Sequence, residues 1–433
     1  MTKIRILPDI LSNKIAAGEV VERPASVVKE LLENALDAGS TKVLVEVEKG
    51  GKSLIRVSDN GLGMNHDDAL LCLERFATSK IKNDQDLFSI KTFGFRGEAL
   101  PSIAAISRFN LITRDDSSES AISIRIDGGK LVKVSETGAP RGTMVSVGQL
   151  FFNTPARRKF LKSTNTEMGH IADAISSMAM GHHRVQFRLV HNFKPVKRWS
   201  PVSGFDRIVE VLGKDLGNDL YPVSFSDNGI EISGAVGSSR VYRSTSRAMY
   251  IYVNGRFVRD RLIQHAIFEG YRQRLMKGQF PVAVIFLKIP EDQVDVNVHP
   301  TKHEVRFTEQ RKVYDAICRA VKEILRSNET PFNPPKSETQ PPGYRPLFIS
   351  ETAETFSRPS SIAPDKSAAA AEESPVKRAE PETISSADYR EPEKPIDNPA
   401  SAFETSEPGP YVTKQQKFWE DRQFKNLKVI GQC

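Results

Sequence analysis

Between Pro24 and Gly39 the chain sets Val28, Leu31, Leu32 and Ala35 at helical spacing, which predicts one amphipathic helix. Pro24 suits its first turn, and Gly39 suits the residue just past its end. Glu30, Asn34 and Asp37 recur at four and then three residues, so they share a second stripe that borders the buried one. The apolar and polar alternation of Ser53 to Ser58 predicts a strand running directly into Asp59-Asn60-Gly61-Leu62-Gly63-Met64. Gly94 and Gly97 lie in a backbone-rich loop, and Glu98 to Ile106 follows as a short helix. Up to Trp199 helices alternate with β-rich runs, and a helix over Phe205 to Leu212 opens a second mixed segment. Within it, apolar residues from Ala248 to Val258 alternate around Asn254-Gly255, a tight-hairpin signal. A helical run from Lys312 to Leu325 closes it.

After Ser327 the pattern stops and the composition turns to Pro, Ser, Glu and Ala, which supports no packed core. The reading is therefore three parts: 1–203, 204–327 and a disordered linker over 328–433, with the apolar turn at Phe424 to Cys433 as the start of a further domain. At 433 residues, two packed domains and a linker fit the length. Three scattered cysteines, Cys72, Cys318 and Cys433, make neither a disulfide framework nor a four-cysteine zinc site. Met1 to Val20 lacks the apolar core of a secretory signal, and no later run reaches the roughly 18 apolar residues of a membrane span, so a soluble cytoplasmic protein is expected. The net charge of +7 is compatible with phosphate-bearing partners.

Glu30 one turn before Asn34 suits two tasks: the carboxylate can take a proton from water, and the amide oxygen is a hard ligand for Mg2+. Asp59 at a strand end can accept from the exocyclic amine of adenine, and Gly61 and Gly63 let backbone approach a flat ring. The helix after Gly94-Phe95-Arg96-Gly97 turns its positive end toward phosphates. Taken singly, the Glu30–Asn34 pair reads first as a solvated helix face and the Asp59 and Gly94 segments as plain turns. A P-loop is excluded, because Gly50-Gly51-Lys52-Ser53 is preceded by Glu46 where that motif needs glycine. His299 and His303 flank Pro300, which opposes the helix that a zinc pair would require.

In order and spacing, Glu30 to Asn34, Asp59 to Gly63, Gly94 to Leu100 and Gly142-Thr143 match the four motifs of the GHKL ATPases. Within that superfamily, Ile15 to Lys29, Gly94 to Leu100 and Asn153 to Leu161 resemble the MutL family of DNA mismatch repair proteins over about Ile4 to Leu325. The resemblance implies an α+β chain: a Bergerat-fold (GHKL) ATPase sandwich, then a transducer domain like the second domain of ribosomal protein S5. It implies ATP and Mg2+ as ligands, with Glu30 as general base and Asn34 on the metal. It places Asp37, Asp59, Gly61, Gly63, Met64, Thr78, Ser79, Lys80, Gly94, Phe95, Arg96, Gly97, Glu98, Ala99, Leu100 and Thr143 at the nucleotide. Lys302, in a turn created by Pro300, would reach the γ-phosphate from the second domain.

Two basic groups, Arg157, Arg158, Lys159 and Lys162, and Arg256, Arg259 and Arg261, suit phosphate contacts without base reading. The resemblance puts Lys162 and Arg261 near DNA. It further implies homodimerisation on ATP binding through the arm before Val20, and clamping on DNA in the nucleoid. The implied partners are a MutS-like mismatch-recognition protein, a strand-incision endonuclease and a helicase, with no membrane. The Asp-Gln-His-Ala nuclease motif known in many relatives is absent from this sequence, so no nuclease activity is assigned to these residues, and the GHKL motifs make ATP hydrolysis the expected activity. Glu30 alongside Asp59 favours hydrolysis over a non-hydrolysing ATP-gated clamp, and the Lys302 turn and basic groups disfavour a chaperone of the same superfamily.

Overall fold

The computed structural model describes residues 17, 18, 20–81, 92–94, 96–295 and 305–329. Phe95, Lys302, His299, His303, the linker beyond Glu329 and nearly all of the arm before Val20 lie outside them. Extended backbone at Arg23 gives way to α1, Pro24–Asp37, and Gly39 at φ +68° follows its end. All four residues of the expected stripe are buried, Leu31 being the most exposed at 3%.

The chain then runs through β1 (Lys42–Glu48), β2 (Leu54–Asp59), α2 (His66–Leu71), α3 (Ala99–Ala105), β3 (Arg108–Arg114), β4 (Ala121–Asp127), β5 (Lys130–Thr137), β6 (Gly142–Gly148), α4 (Pro155–Phe160), α5 (Thr164–Gly181), β7 (Gln186–His191) and β8 (Lys194–Trp199). These strands form an eight-stranded sheet in the order β5-β4-β3-β6-β2-β1-β7-β8. Its pairs are antiparallel except β1 with β7, which is parallel. Alternate residues along the inner strands, such as Val45, Val57, Leu111, Val145 and Leu189, pack with Leu32 of α1 and Ile171 and Ile175 of α5 in one core. Lysines on the outer strands β5 and β8, and Pro195, blunt the open edges.

The second part comprises α6 (Gly204–Leu212), β9 (Leu220–Asp227), β10 (Ile230–Gly237), β11 (Tyr242–Arg243), β12 (Met249–Val253), β13 (Arg256–Val258), α7 (Arg261–Gly270), β14 (Phe280–Pro281), β15 (Ala283–Lys288), β16 (Val294–Asp295), β17 (Arg306–Phe307) and α8 (Gln310–Asn328). A five-stranded sheet runs β13-β12-β15-β10-β9, beside the short pairs β11 with β14 and β16 with β17. The β12–β13 hairpin turns on Asn254 and Gly255, both at positive φ, as an Asn-Gly pair favours. The apolar faces of α7 and α8 cover this sheet.

A third cluster joins the two sheets: Met180 of α5 and Ile208 of α6 pack with Tyr252, Val282 and Val284, and the Tyr252 hydroxyl donates to Ser177 O at 2.6 Å. Arg207 fastens the same junction. Fully buried, its guanidinium donates to the carbonyls of Ala179 at 2.7 Å, Ser200 at 2.7 Å, His183 at 3.1 Å and Val185 at 3.2 Å, with Glu210 at 3.5 Å. One cation thereby satisfies acceptors from three segments, the Ala179 carbonyl among them being buried. Arg207→Ala strands those carbonyls, and we expect urea unfolding to report a loss of about 3–5 kcal/mol; a loss within experimental error would contradict this bonding role.

Candidate active site

Register across the large sheet builds one wall of the site. Asp59 on β2 faces Thr143 on β6, which faces Thr113 on β3, two residues beyond the core row Val57, Val145 and Leu111. The three polar side chains therefore lie on the helix-covered side of the sheet at its end. Asp59 is 7% exposed and accepts from Gly61 N at 2.8 Å. Burial pushes its carboxyl up to about 6, against the lowering effect of hydrogen bonds from the Gly61 and Thr143 backbones. Thr113, which sequence reading did not single out, meets the Thr143 hydroxyl at 3.0 Å, donates to Gly142 O and accepts from Met64 N. Nothing in its sequence context separates it from any other strand threonine.

The turn after Asp59 packs on the end of α1, where Leu62 N donates to Ala38 O at 3.0 Å. A Cβ on Gly61 would lie 2.8 Å from both the Ala38 Cβ and its carbonyl, and one on Gly63, at φ +71°, would lie 1.9 Å from Arg114 O. Both glycines are thus already required by the protein's own close packing, independently of any ligand.

The polar stripe of α1 forms the facing wall. Asn34 Oδ1 accepts from the Lys80 ammonium at 2.8 Å, and Asp37 Oδ2 takes the same ammonium at 2.6 Å. Asp37 also accepts from Phe93 N at 3.0 Å and Gly94 N at 3.3 Å, which draws the Thr92–Gly94 segment onto the helix. A Cβ on Gly94 would stand 3.3 Å from Lys80 Nζ and 3.9 Å from Asn34 Oδ1. Glu30 is half-buried one turn earlier. From Glu30 to Asp37, its last residue, the helix advances about 10 Å, at 1.5 Å per residue.

Thr78 Oγ1 accepts from Lys80 N at 3.2 Å, while Ser79 and Arg96 are exposed. Gly97 O accepts from Phe76 N, Glu98 pairs with Arg75 at 3.1 Å, and Ala99 and Leu100 open α3, which spans seven residues. Glu33 and His182 emerge only in three dimensions, and Arg256, grouped by sequence with the basic hairpin residues, turns instead to Thr92. Glu33, 5% exposed, pairs with Lys29 at 3.7 Å. His182 lies edge-on to Phe93 at 5.4 Å, and burial, with His183, drives its imidazole down to about 4, so it is neutral at pH 7. Arg256 of β13 donates to Thr92 O at 2.9 Å.

For a metal, the donor chemistry fits magnesium. Asn34 Oδ1 and the Asp37 carboxylate are hard oxygens that already converge on a cation, the Lys80 ammonium. Among the described residues no group of three or more His, Cys, Asp or Glu could hold an ion alone; magnesium commonly takes one or two protein oxygens and completes its shell with phosphates and water.

The basic residues fall on two surfaces. Arg158, Lys159 and Lys162 are exposed, whereas Arg157 is turned against Gly18 with its Nη1 buried. Arg259 and Arg261 are exposed just past β13, with the Arg259 guanidinium 5.9 Å from the Phe257 ring centre. No helix among the described residues is long and apolar enough to cross a membrane.

Comparison with known proteins places this geometry. Residues 22–139 match a family described as histidine kinase-, DNA gyrase B- and HSP90-like ATPase, and residues 208–326 match the DNA mismatch repair protein C-terminal domain. The chain is 52% identical over 340 residues to the DNA mismatch repair protein MutL of Geotalea daltonii, an alignment covering 78% of this chain and 56% of that protein. It therefore spans little more than half the length of that relative. It is similar in fold to the Aquifex aeolicus MutL ATPase domain complexed with ADP, at 26% identity and a TM-score of 0.50, covering 72% of this chain and 100% of that one. The α+β GHKL architecture expected from the motifs is the architecture found. To the MutL protein of Pelobacter propionicus the chain is 43% identical over 437 aligned positions, covering 99% of this chain and 69% of that relative. On that likeness, the chain belongs to the MutL family of DNA mismatch repair proteins.

Proposed function

We propose that this chain is the ATP-hydrolysing part of a mismatch repair protein, closing as a homodimeric clamp on DNA when it binds ATP. The observation that carries the reading is the pairing of two walls: Asp59 buried at one end, and Glu30, Asn34 and Asp37 on one helix stripe with Lys80 and Gly94 at the other.

In this reading the ionised Asp59 accepts the adenine amine, with Thr143, Gly61, Gly63 and Met64 around it. Lys80 leaves Asn34 and turns its ammonium to the phosphates, which frees the Asn34 oxygen. Asn34 would hold magnesium, which would supply charge to screen the phosphates. Thr78, Ser79 and residues 94–100 line the phosphate end. Glu30 takes a proton from water as that oxygen bonds to the γ-phosphorus; the bond from the γ-phosphorus to its bridging oxygen breaks, and ADP and phosphate leave. Lys302 is assigned to the γ-phosphate.

Residues 1–203 are assigned to the ATPase domain, 204–327 to the transducer and 328–433 to a linker toward a dimerisation domain. DNA is assigned to Lys162, Arg157, Arg158, Arg259 and Arg261, with Lys162, Arg158, Arg259 and Arg261 exposed. A MutS-like protein, an incision endonuclease and a helicase are the proposed partners in the bacterial nucleoid. The test is magnesium-dependent ATPase at several protein concentrations, with and without duplex DNA. Turnover should rise faster than linearly with protein, and DNA stimulation should weaken with salt and in Arg261→Glu. Strictly linear turnover would remove nucleotide-driven pairing, and unchanged stimulation in Arg261→Glu would remove that surface from the DNA path.

A further inference from the structure

One cation in the cleft comes from the second sheet. Arg256 is the first residue of β13, directly after the Asn254-Gly255 turn, and its Nη2 donates to Thr92 O at 2.9 Å. Thr92 is two residues before Gly94, and the next two amides, Phe93 N and Gly94 N, are held by Asp37 of α1. The Thr92 hydroxyl also donates to Gly94 O at 2.9 Å, so this short stretch behaves as one unit gripped between α1 and β13. Burial lowers the Arg256 guanidinium, and Glu33, Asp37 and Glu30 pull it back up, which places its charge before the acidic face of α1.

The grip lies at the last turn of α1, beside the lysine and amide assigned to the phosphates. Gly94 stands beside Lys80 and Asn34, whereas Asp59 and Thr143 sit past the far end of the helix. Three carboxylates on α1 would repel a polyphosphate, and Arg256 with Lys29 and Lys80 offsets them. The hairpin bearing Arg256 is itself anchored: Tyr252 of β12 stacks on Phe286 at 4.8 Å and bonds to Ser177 of α5.

We propose that Arg256 is a positioning residue which the second sheet supplies to the nucleotide cleft, holding the Thr92–Gly94 backbone where the terminal phosphates are read. This rests on the ATPase reading and adds to it a fixed attachment between the second sheet and the phosphate end. Because the attachment bears on the terminal phosphate and not on the adenine wall, it should favour a triphosphate over a diphosphate.

The experiment titrates the whole 433-residue chain, with magnesium, against ADP and against a non-hydrolysable ATP analogue, in wild type, Arg256→Met and Arg256→Lys. Arg256→Met should weaken the analogue roughly tenfold or more, the scale of one charge-assisted hydrogen bond, and ADP by less than about threefold. Arg256→Lys, which keeps the charge without the planar fork, should recover part of the preference. An unchanged ratio in Arg256→Met, or an equal loss for both ligands, would overturn the positioning role alone. Wild-type protein that binds neither nucleotide would overturn the ATPase reading and this one together.

Discussion

Glu30→Ala should bind Mg-ATP about as tightly as the wild type and hydrolyse it about 10²–10⁴-fold more slowly, the range a positioned general base contributes. The reason is where the carboxylate sits. Glu30 is half-buried on the same stripe as Asn34 and Asp37, one turn from the oxygen assigned to the metal and clear of Asp59 at the other end of the helix. Removing it deletes the proton acceptor and leaves both anchoring ends in place. It also removes one negative charge from a wall that must face phosphates, so affinity has no electrostatic reason to fall. Equilibrium binding of ATP alongside single-turnover hydrolysis separates the two effects. Wild-type turnover in Glu30→Ala would end the assignment of the base.

Asp59→Asn should do the reverse, losing nucleotide binding while making the free protein more stable. An Asp pushed up to about 6 by burial binds a proton more tightly when folded than when unfolded. Its contribution therefore favours the fold below about pH 4 and is lost as pH rises from about 4 to 6. At neutral pH the ionised, buried carboxylate costs up to about 3 kcal/mol, taking 1.36 kcal/mol per pKa unit. A neutral amide removes that cost, less whatever the Thr143 amide loses as a donor. The exocyclic amine of adenine, itself a donor, then meets a donor on one side of the amide and loses the carboxylate's charge. Urea titrations at pH 7.5 and pH 4 give the check: the advantage of the variant should be present at the higher pH and vanish at the lower. A destabilised Asp59→Asn at pH 7.5 would show that burial is not what raises the carboxyl.

Much of this site was legible along the chain because its elements are locally determined. Pro24, the apolar stripe and Gly39 delimit α1 within one stretch, and Asn254-Gly255 specifies its own turn. The ordered motifs brought Asn34, Asp37, Lys80 and Gly94 to one wall and Asp59 and Thr143 to the other. What stayed hidden depends on partners far away in sequence. Arg207 looks like an ordinary charge on an amphipathic helix, and only the carbonyls of Ala179, His183, Val185 and Ser200 make it an interior residue. Glu33 lies beside the stripe it borders, and Arg256 reads as one more basic residue after a hairpin until Thr92 is placed against it. Composition changes after Ser327, yet α8 continues to Asn328 and Glu329 is fastened to Ser239 N at 2.6 Å and Arg274 at 2.5 Å. These are long-range bonds that no local pattern encodes.

A crystal structure of the chain with magnesium and a non-hydrolysable ATP analogue would test the central claim most directly. The account predicts the adenine amine on Asp59, the Asn34 oxygen on the metal with Lys80 turned to the phosphates, and a water between Glu30 and the γ-phosphorus. Nucleotide bound elsewhere, or Glu30 pointing into bulk solvent beside an occupied cleft, would contradict it.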